Sequence, residues 1–506
     1  MTYYMGIDVG TSSVKGILAG PEGLVAQASR DLKMEQPAPG WAEQNPEDWW
    51  QAVVPVVREL FSVSRIPVTE LAGIGLTGQM HGLCCLDGSG HPLRPAILWC
   101  DQRTGEVAES MSRQMEEARL AQLSGNRPVA GFTLAKLLWV RAHEPEVFAA
   151  TRKILLPKDY IRFRLTGRYG TEVSDASGMQ LLDIRKRRFS PEILQAYGIP
   201  PEMLPEVTES QEVSGTVSRE AASVLGIPSG IPVVGGAGDQ AAAALGNGVA
   251  GPGMASLSFG TSGVVFAATG EPVRDPESRI QTFCHAVPDT WHVMGVTQAA
   301  GLSLQWFRDR MAPDILREAE RTGGNAFDLL VSGARTVSPG SAGLVYLPYL
   351  MGERTPHLDS SATGVFFGIN ASHGREHFFR AVLEGVAFSI AHNIQVAREV
   401  GAQISELRAV GGPTRSPLWC QIIADITGQP LTVLRDNPGA PLGNVFLAAA
   451  GVGLIPDAGV AAAQAAVVDR VYFPDPAYRH RYDCQFAIYR ELYPSLKPQF
   501  AAAAQL

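Results

Sequence analysis

The sequence predicts an α/β protein of two duplicated domains around a cleft, and three observations lead there. The chain has 506 residues, a length that suits two or three domains better than one. Short apolar runs ending in glycine turns alternate with longer helical segments, the pattern of sheets covered by helices. One strand–turn–strand unit also occurs twice. Met5-Gly6-Ile7-Asp8-Val9-Gly10-Thr11-Ser12-Ser13-Val14-Lys15 reads as strand, Gly-Thr-Ser turn, strand. Ala255-Ser256-Leu257-Ser258-Phe259-Gly260-Thr261-Ser262-Gly263-Val264-Val265-Phe266 repeats that grammar about half a chain later. Two copies suggest duplicated domains whose equivalent loops face each other. The expected domains are 1–247 and 248–506, divided in the glycine- and proline-rich stretch 246–253.

The remaining elements follow in order. After the first hairpin and the turn at Gly20-Pro21-Glu22-Gly23, the pattern predicts a helix over 46–60 and strands over 72–76 and 83–86. Helices over 104–123 and 133–141 come next, then a strand over 233–235 leading into an alanine-rich helix at Asp239. Past the second hairpin come a helix over 376–400, a strand over 407–410, a helix over 416–427 and a terminal helix within 474–506.

Composition excludes several classes. Hydrophobic residues are 45% of the chain, which rules out disorder. Charged residues are only 18%, with 53 glycines and 35 prolines, which fits a large core with many tight turns. The net charge of −8 argues against a general nucleic-acid or anionic-membrane binder, which would show a basic face. None of the six cysteines forms a Cys-x-x-Cys pair or a zinc-like Cys/His cluster, so they read as small buried hydrophobes of a reducing compartment. No basic and apolar leader precedes Asp8, and the uncharged stretch 240–270 is punctuated too heavily by glycine to cross a membrane. The expected location is cytoplasmic, with no membrane or nucleic-acid partner.

Two glycine motifs mislead. Gly73-Ile74-Gly75-Leu76-Thr77-Gly78 has dinucleotide-binding spacing, but another strand follows it instead of a helix. Gly236-Ala237-Gly238-Asp239-Gln240-Ala241 sits correctly between strand and helix but lacks the acid about 20 residues on. No Gly-Lys-Ser/Thr loop, HExxH or GxSxG is present, which disfavours P-loop kinases, zincins and α/β-hydrolases.

The residues that carry chemistry lie at strand ends. A Gly-Thr-Ser hairpin turn can offer backbone N–H groups and hydroxyls to a phosphate, although it is also ordinary turn chemistry. Superposing the repeats sets Asp8 opposite Ser258, so only the first loop brings a carboxylate. A metal-bound nucleotide would explain that asymmetry. Asp239, where a strand turns into a helix, serves either as the helix N-cap or as a general base. A helix N-terminus favours the ionised carboxylate, so its pKa should not be high. Gln79-Met80-His81-Gly82 follows a strand, where α/β sheets bind ligands. Trp99 suits either a sugar face or core packing, and Asp101, Gln102, Arg103, Lys158 and Asp159 are further polar candidates.

Taken together these segments resemble the FGGY family of sugar kinases. The resemblance rests on Gly6-Ile7-Asp8-Val9-Gly10-Thr11-Ser12, Gly78-Gln79-Met80-His81-Gly82 and Arg94-Pro95-Ala96-Ile97-Leu98-Trp99. Pro128-Val129-Ala130-Gly131-Phe132-Thr133, Leu156-Pro157-Lys158-Asp159-Tyr160 and Ser174-Asp175-Ala176-Ser177-Gly178 continue it. The second half adds Phe259-Gly260-Thr261-Ser262-Gly263, Gly352-Glu353-Arg354-Thr355-Pro356, Glu384-Gly385-Val386-Ala387 and Arg415-Ser416-Pro417-Leu418-Trp419. Each motif is weak alone; their number and order, from Tyr4 to about Ala450, are specific.

The resemblance implies two actin/Hsp70-like (ribonuclease H-like) domains closing over ATP, Mg²⁺ and a sugar, and it allows a homodimer. It implies that Asp239 takes the proton of the sugar hydroxyl and that Asp8 holds Mg²⁺, through water. Gly10, Thr11, Ser12 and Lys15 would line the first phosphate loop, and Gly260, Thr261 and Ser262 the second. Gly411 and Gly412 would lie near the adenosine, with Ser416 and Trp419 on the helix behind. Gln79, Met80, His81 and Trp99 would meet the sugar from one side, and Asp239 and Gln240 from the other. The expected reaction converts D-xylulose to D-xylulose 5-phosphate. D-Ribulose, a sugar alcohol or glycerol is the alternative, and a nucleotide-dependent binding protein without sugar chemistry is a third reading.

Three positions depart from the family pattern. Gln240 stands where members acting on xylulose often carry Asn, as in glycerol-phosphorylating members; those, however, carry Arg-Glu in place of Met80-His81. Pro413 interrupts the adenosine loop Gly411-Gly412-Pro413-Thr414-Arg415-Ser416 and removes a backbone donor. Asn444 replaces a customary small residue in Pro441-Leu442-Gly443-Asn444.

Overall fold

The computed structural model describes residues 2–435 and 438–505. The first hairpin forms as expected, with β1 (Tyr3–Val9), β2 (Ser13–Gly20) and β3 (Gly23–Asp31) antiparallel in sequence. Helix α1 (Pro46–Ser64) starts at Asn45, whose side chain accepts from Glu47 N, and buries Trp49, Val53, Val56 and Leu60 against this sheet. The central strand β4 (Leu71–Gly78) runs parallel to β1, and Pro232–Val234 and Val213–Thr216 extend the sheet beyond it. The Gly73–Gly78 decoy is therefore a strand interior. The first-half sheet strands lead into helix α2 (Asp239–Gly246).

The second sheet repeats this order strand for strand. Strands β5 (Gly253–Phe259), β6 (Gly263–Thr269) and β7 (Trp291–Thr297) are antiparallel neighbours. Strand β8 (Ile404–Gly411) pairs parallel to β5, and Leu431–Leu434 and an antiparallel Val468–Tyr472 complete the series. Each half thus carries the same 3-2-1-4 arrangement, and the extra strand Gln281–Cys284 borders only the second. Helices α3 (Arg375–Glu399), α4 (Pro417–Thr427), α5 (Ala440–Gly451) and α6 (Pro476–Ala503) follow. α6 closes the second core with Tyr482, Tyr489, Tyr493 and Phe500.

One expected helix is broken. The stretch 104–123 folds as Gly105–Ser110, a 3₁₀ turn Met111–Arg113, and Glu117–Ser124. Ser110 Oγ and Ser112 Oγ donate back to Val107 O and Glu109 O, the side-chain competition that weakens helix interiors.

The halves are joined by close backbone packing. α5, from the second half, lies on the first sheet and crosses α2. A Cβ on Gly6 would sit 2.0 Å from Pro441 O, and one on Gly443 would sit 2.1 Å from Ala242 O, so only glycine permits this approach. Asn444 is explained here: its buried Nδ2 donates 3.1 Å to Ile7 O of β1. No described helix is long and apolar enough to cross a membrane, and all six cysteines are free thiols.

Candidate functional site

The two duplicated turns stand beside the ends of β4 and β8 respectively, because the strand registers repeat. Val9 pairs with Gly78 in the first sheet, and Phe259 pairs with Gly411 in the second. Gln79 and Gly412 therefore begin equivalent loops at the carboxyl ends of equivalent strands, where α/β sheets place ligands.

In the first turn, Gly10 N donates to Ser13 O at 3.0 Å, closing the hairpin. The Thr11 hydroxyl donates to Gln79 Oε1 at 3.1 Å and accepts from the exposed Trp99 indole N–H at 3.0 Å. Gln79 Nε2 passes on to Gln44 Oε1, which also accepts from Trp49, while Gln44 Nε2 holds Thr11 O. Gln79 and Trp99 thus brace the hairpin. Ser12 and Lys15 are exposed, and Lys15 is the cross-strand partner of Asp8. In the second turn, Gly260 N donates to Ser262 O, and the carbonyls of Gly260 and Thr261 accept from Gly301 N and Leu302 N.

Two carboxylates lie close enough to act on each other. Asp8 Oδ1 is enclosed without a partner among the described residues, and burial raises the carboxyl to about 6 despite the opposing charge of Lys15. Asp239 is the first residue of α2, with Gly238 as the cap, so the N-cap reading fails. Its Oδ1 accepts from Gln240 N at 2.7 Å. Its carboxyl is nevertheless pushed up to about 7, by burial first and by the negative charge of Asp8 second. The expectation of an unraised pKa is therefore corrected: the bonds from Gln240 do not offset desolvation beside a second carboxylate.

Next to Asp239 the Gly78-Gln79-Met80-His81 loop forms a wall. Met80 is buried against Gly238, where an added Cβ would lie 3.0 Å from Met80 Cγ. His81 adopts φ 66°, a left-handed conformation that is costly for a non-glycine residue. Its carbonyl accepts from Thr133 Oγ1 and, at 2.8 Å, from the buried Nζ of Lys136, which burial brings down to about 7. The imidazole hydrogen-bonds Gly178 O and packs against both Phe132 and Phe283, at 4.6 and 5.9 Å between ring centres. Burial, reinforced by the Lys136 charge, holds it down to about 3, so His81 is neutral.

A cavity of about 510 Å³ opens beside the second turn, a size that suits a nucleoside. Gly260, Thr261, Gly412, Ser416 and Trp419 line it, with Asn325, Phe327 and Asp328 from a helix the sequence reading did not single out. Gly411 stands behind the lining at φ 112°, and a Cβ there would meet Phe259 O at 1.9 Å. Pro413 occupies the first turn of a 3₁₀ helix, where its missing N–H has no helical acceptor. Ser416 caps α4 through its hydroxyl to Trp419 N.

Comparison with known proteins fits this geometry. The N-terminal domain of the FGGY family of carbohydrate kinases matches residues 3–246, and the C-terminal domain matches residues 255–452. The chain belongs to the FGGY family of carbohydrate kinases. A xylulose kinase of Bacillus subtilis is 38% identical over 98% of both chains. One of Escherichia coli is 40% identical over 85% of both. The crystal structure of a xylulose kinase from Rhodospirillum rubrum superposes with a TM-score of 0.91 at 32% identity, covering 99% of this chain and 100% of that one. The fold is the two-domain actin/Hsp70-like architecture, and as a carbohydrate kinase the protein takes a sugar and ATP.

Within this FGGY kinase some polar candidates turn out to be scaffold. Asp101 binds Arg103 and Ala42 N, and Arg103 stacks on Trp41. Lys158 is buried among Asp159, Glu172 and Asp175. Lys136 and Gly301 carry no local sequence signal of their roles, which arise only when distant segments pack.

Proposed function

We propose that this FGGY kinase transfers the γ-phosphoryl group of Mg-ATP to the terminal hydroxyl of D-xylulose, giving D-xylulose 5-phosphate. The observation that carries the chemistry is the interacting pair Asp8 and Asp239, with Asp8 on the strand that leads into the first hairpin turn. The acceptor is supported by the relatives named xylulose kinase and by Met80-His81 in place of a more polar pair.

In this reading Asp239 orients the attacking hydroxyl and accepts its proton, a role suited to a carboxyl that burial has brought near neutral pH. The backbone N–H groups of the Gly10 and Gly260 turns, with Thr11, Ser12, Lys15, Thr261 and Ser262, hold the phosphates. Gly412, Ser416 and Trp419 border the adenosine, backed by Gly411. His81, held neutral, offers a ring nitrogen to a sugar oxygen, while Gln240 keeps Asp239 aimed.

The orphan oxygen of Asp8 fits a cation. Among the described residues no group of three or more His, Cys, Asp or Glu could hold a metal, so a cation here would rely on Asp8, water and the substrate phosphates, the habit of Mg²⁺. Bound Mg²⁺ would supply charge neutralisation at the phosphates.

A second reading, another polyol acceptor, is favoured by Gln240 alone. Asp239→Asn tests the base: sugar-dependent ADP formation should fall by about 10³-fold or more, with ATP binding retained. Near-normal turnover would remove Asp239 from the reaction.

A further inference from the structure

Arg354 has no place in the chemistry described so far. It belongs to the second half of the chain, yet it lines a small space with Asn126, Arg127 and Val129 of the first; Asp275 and Arg279 line it too, but Asp275 is paired with Arg279. Its neighbours are fixed. Glu353, buried, accepts from Arg354 N, Gln298 N and Thr297 Oγ1, and Thr355 Oγ1 accepts from Val296 N. The guanidinium itself is half-buried, and among the described residues no carboxylate lies within 4.0 Å of it. A sequestered cation held on a rigid segment without a counter-charge is costly unless something else binds it.

Its surroundings indicate what that is. Val129 packs on the cluster of Phe132, Phe283 and Val296, and the two phenyl rings both touch His81. A row therefore runs from Asp239 through Met80 and His81 to Arg354. The charge of Arg354 also contributes to keeping the His81 ring neutral.

We propose that Arg354 is the sugar-reading residue of the second domain, donating from its guanidinium to the carbonyl and hydroxyl oxygens at the acceptor end remote from Asp239. A planar two-donor fork matches the adjacent oxygens of an α-hydroxyketone, and it reaches them from the opposite wall of the cleft. This rests on the ketose-kinase reading above.

The test uses the full-length enzyme with Arg354→Met and Arg354→Lys. Arg354→Met should raise KM for D-xylulose by about tenfold or more while KM for ATP stays within about twofold, and Arg354→Lys should recover part of the loss. The thermal midpoint of Arg354→Met should be at or above wild type, because the guanidinium has no internal ion pair to lose and its uncompensated burial is relieved. An unchanged KM for D-xylulose in Arg354→Met overturns the inference. So does a parallel rise in both KM values with a lowered midpoint, which would mark Arg354 as scaffold. A wild-type enzyme inert toward every 2-ketose overturns the acceptor reading, and this inference with it.

Discussion

Replacing Asp239 with Asn should stabilise the protein while removing its activity. The carboxyl is raised from 3.8 to about 7, and each pH unit of displacement corresponds to about 1.4 kcal/mol, an upper bound of about 4 kcal/mol. Partial solvent access screens this to about 2 kcal/mol. The sign follows from linkage. Near pH 4 and below, the group is protonated in folded and unfolded chains alike, and the penalty vanishes. Between about pH 4 and 7 the unfolded chain releases its proton first, so stability falls as pH rises; above 7 the penalty is complete. For a domain of this size the gain amounts to roughly 4–8 °C in the thermal midpoint. Thermal unfolding with a chelator present, at pH 8 and at pH 4.5, measures it. Asp239→Asn should exceed wild type at pH 8 by several times its margin at pH 4.5. Equal margins at both values, or a less stable variant at pH 8, would refute the claim that Asp239 is held against its ionised form.

Two further outcomes test the seam and the His81 loop. Gly443→Ala forces a Cβ to within 2.1 Å of Ala242 O, so the two helices must separate. Stability should fall by about 3 kcal/mol or more, read as a lower thermal midpoint and poor soluble yield; a midpoint within about 2 °C of wild type would contradict the close packing. Lys136→Met removes the Nζ donor from His81 O and Gly131 O, at a cost of about 1–3 kcal/mol. With the left-handed His81 loosened, KM for the sugar should rise about tenfold, a loss of about 1.4 kcal/mol in binding; an unchanged KM would mean the loop holds without it.

What was legible in the sequence is what local chemistry determines. The Gly-Thr-Ser turns around Gly10 and Gly260 are local signals, and their recurrence gave the duplicated sheets and their equivalent turns. Helices with clear apolar faces, such as Pro46–Ser64 and Arg375–Glu399, fell within a few residues of expectation. The break after Ser110 was missed because serine back-bonding competes with the helix only weakly in any sequence pattern. The seam was invisible for a different reason. Gly6, Gly75 and Gly443 read as ordinary glycines until α5 is placed on the first sheet, and Asn444 looks anomalous until Ile7 O is found beside it. The pKa of Asp239 failed as an expectation because a helix N-terminus is a local feature, whereas desolvation and Asp8 come from distant packing. Lys136 and Arg354 are likewise defined by what surrounds them, not by their neighbours in sequence.

The most direct test of the central claim is ADP formation with Mg-ATP against D-xylulose, D-ribulose, L-xylulose, xylitol and glycerol, beside a no-sugar blank. The account predicts the highest kcat/KM for D-xylulose, by tenfold or more, about 1.4 kcal/mol of discrimination in the transition state. Preference for another polyol would shift the acceptor and implicate Gln240, and no stimulation by any of them would contradict the proposed reaction.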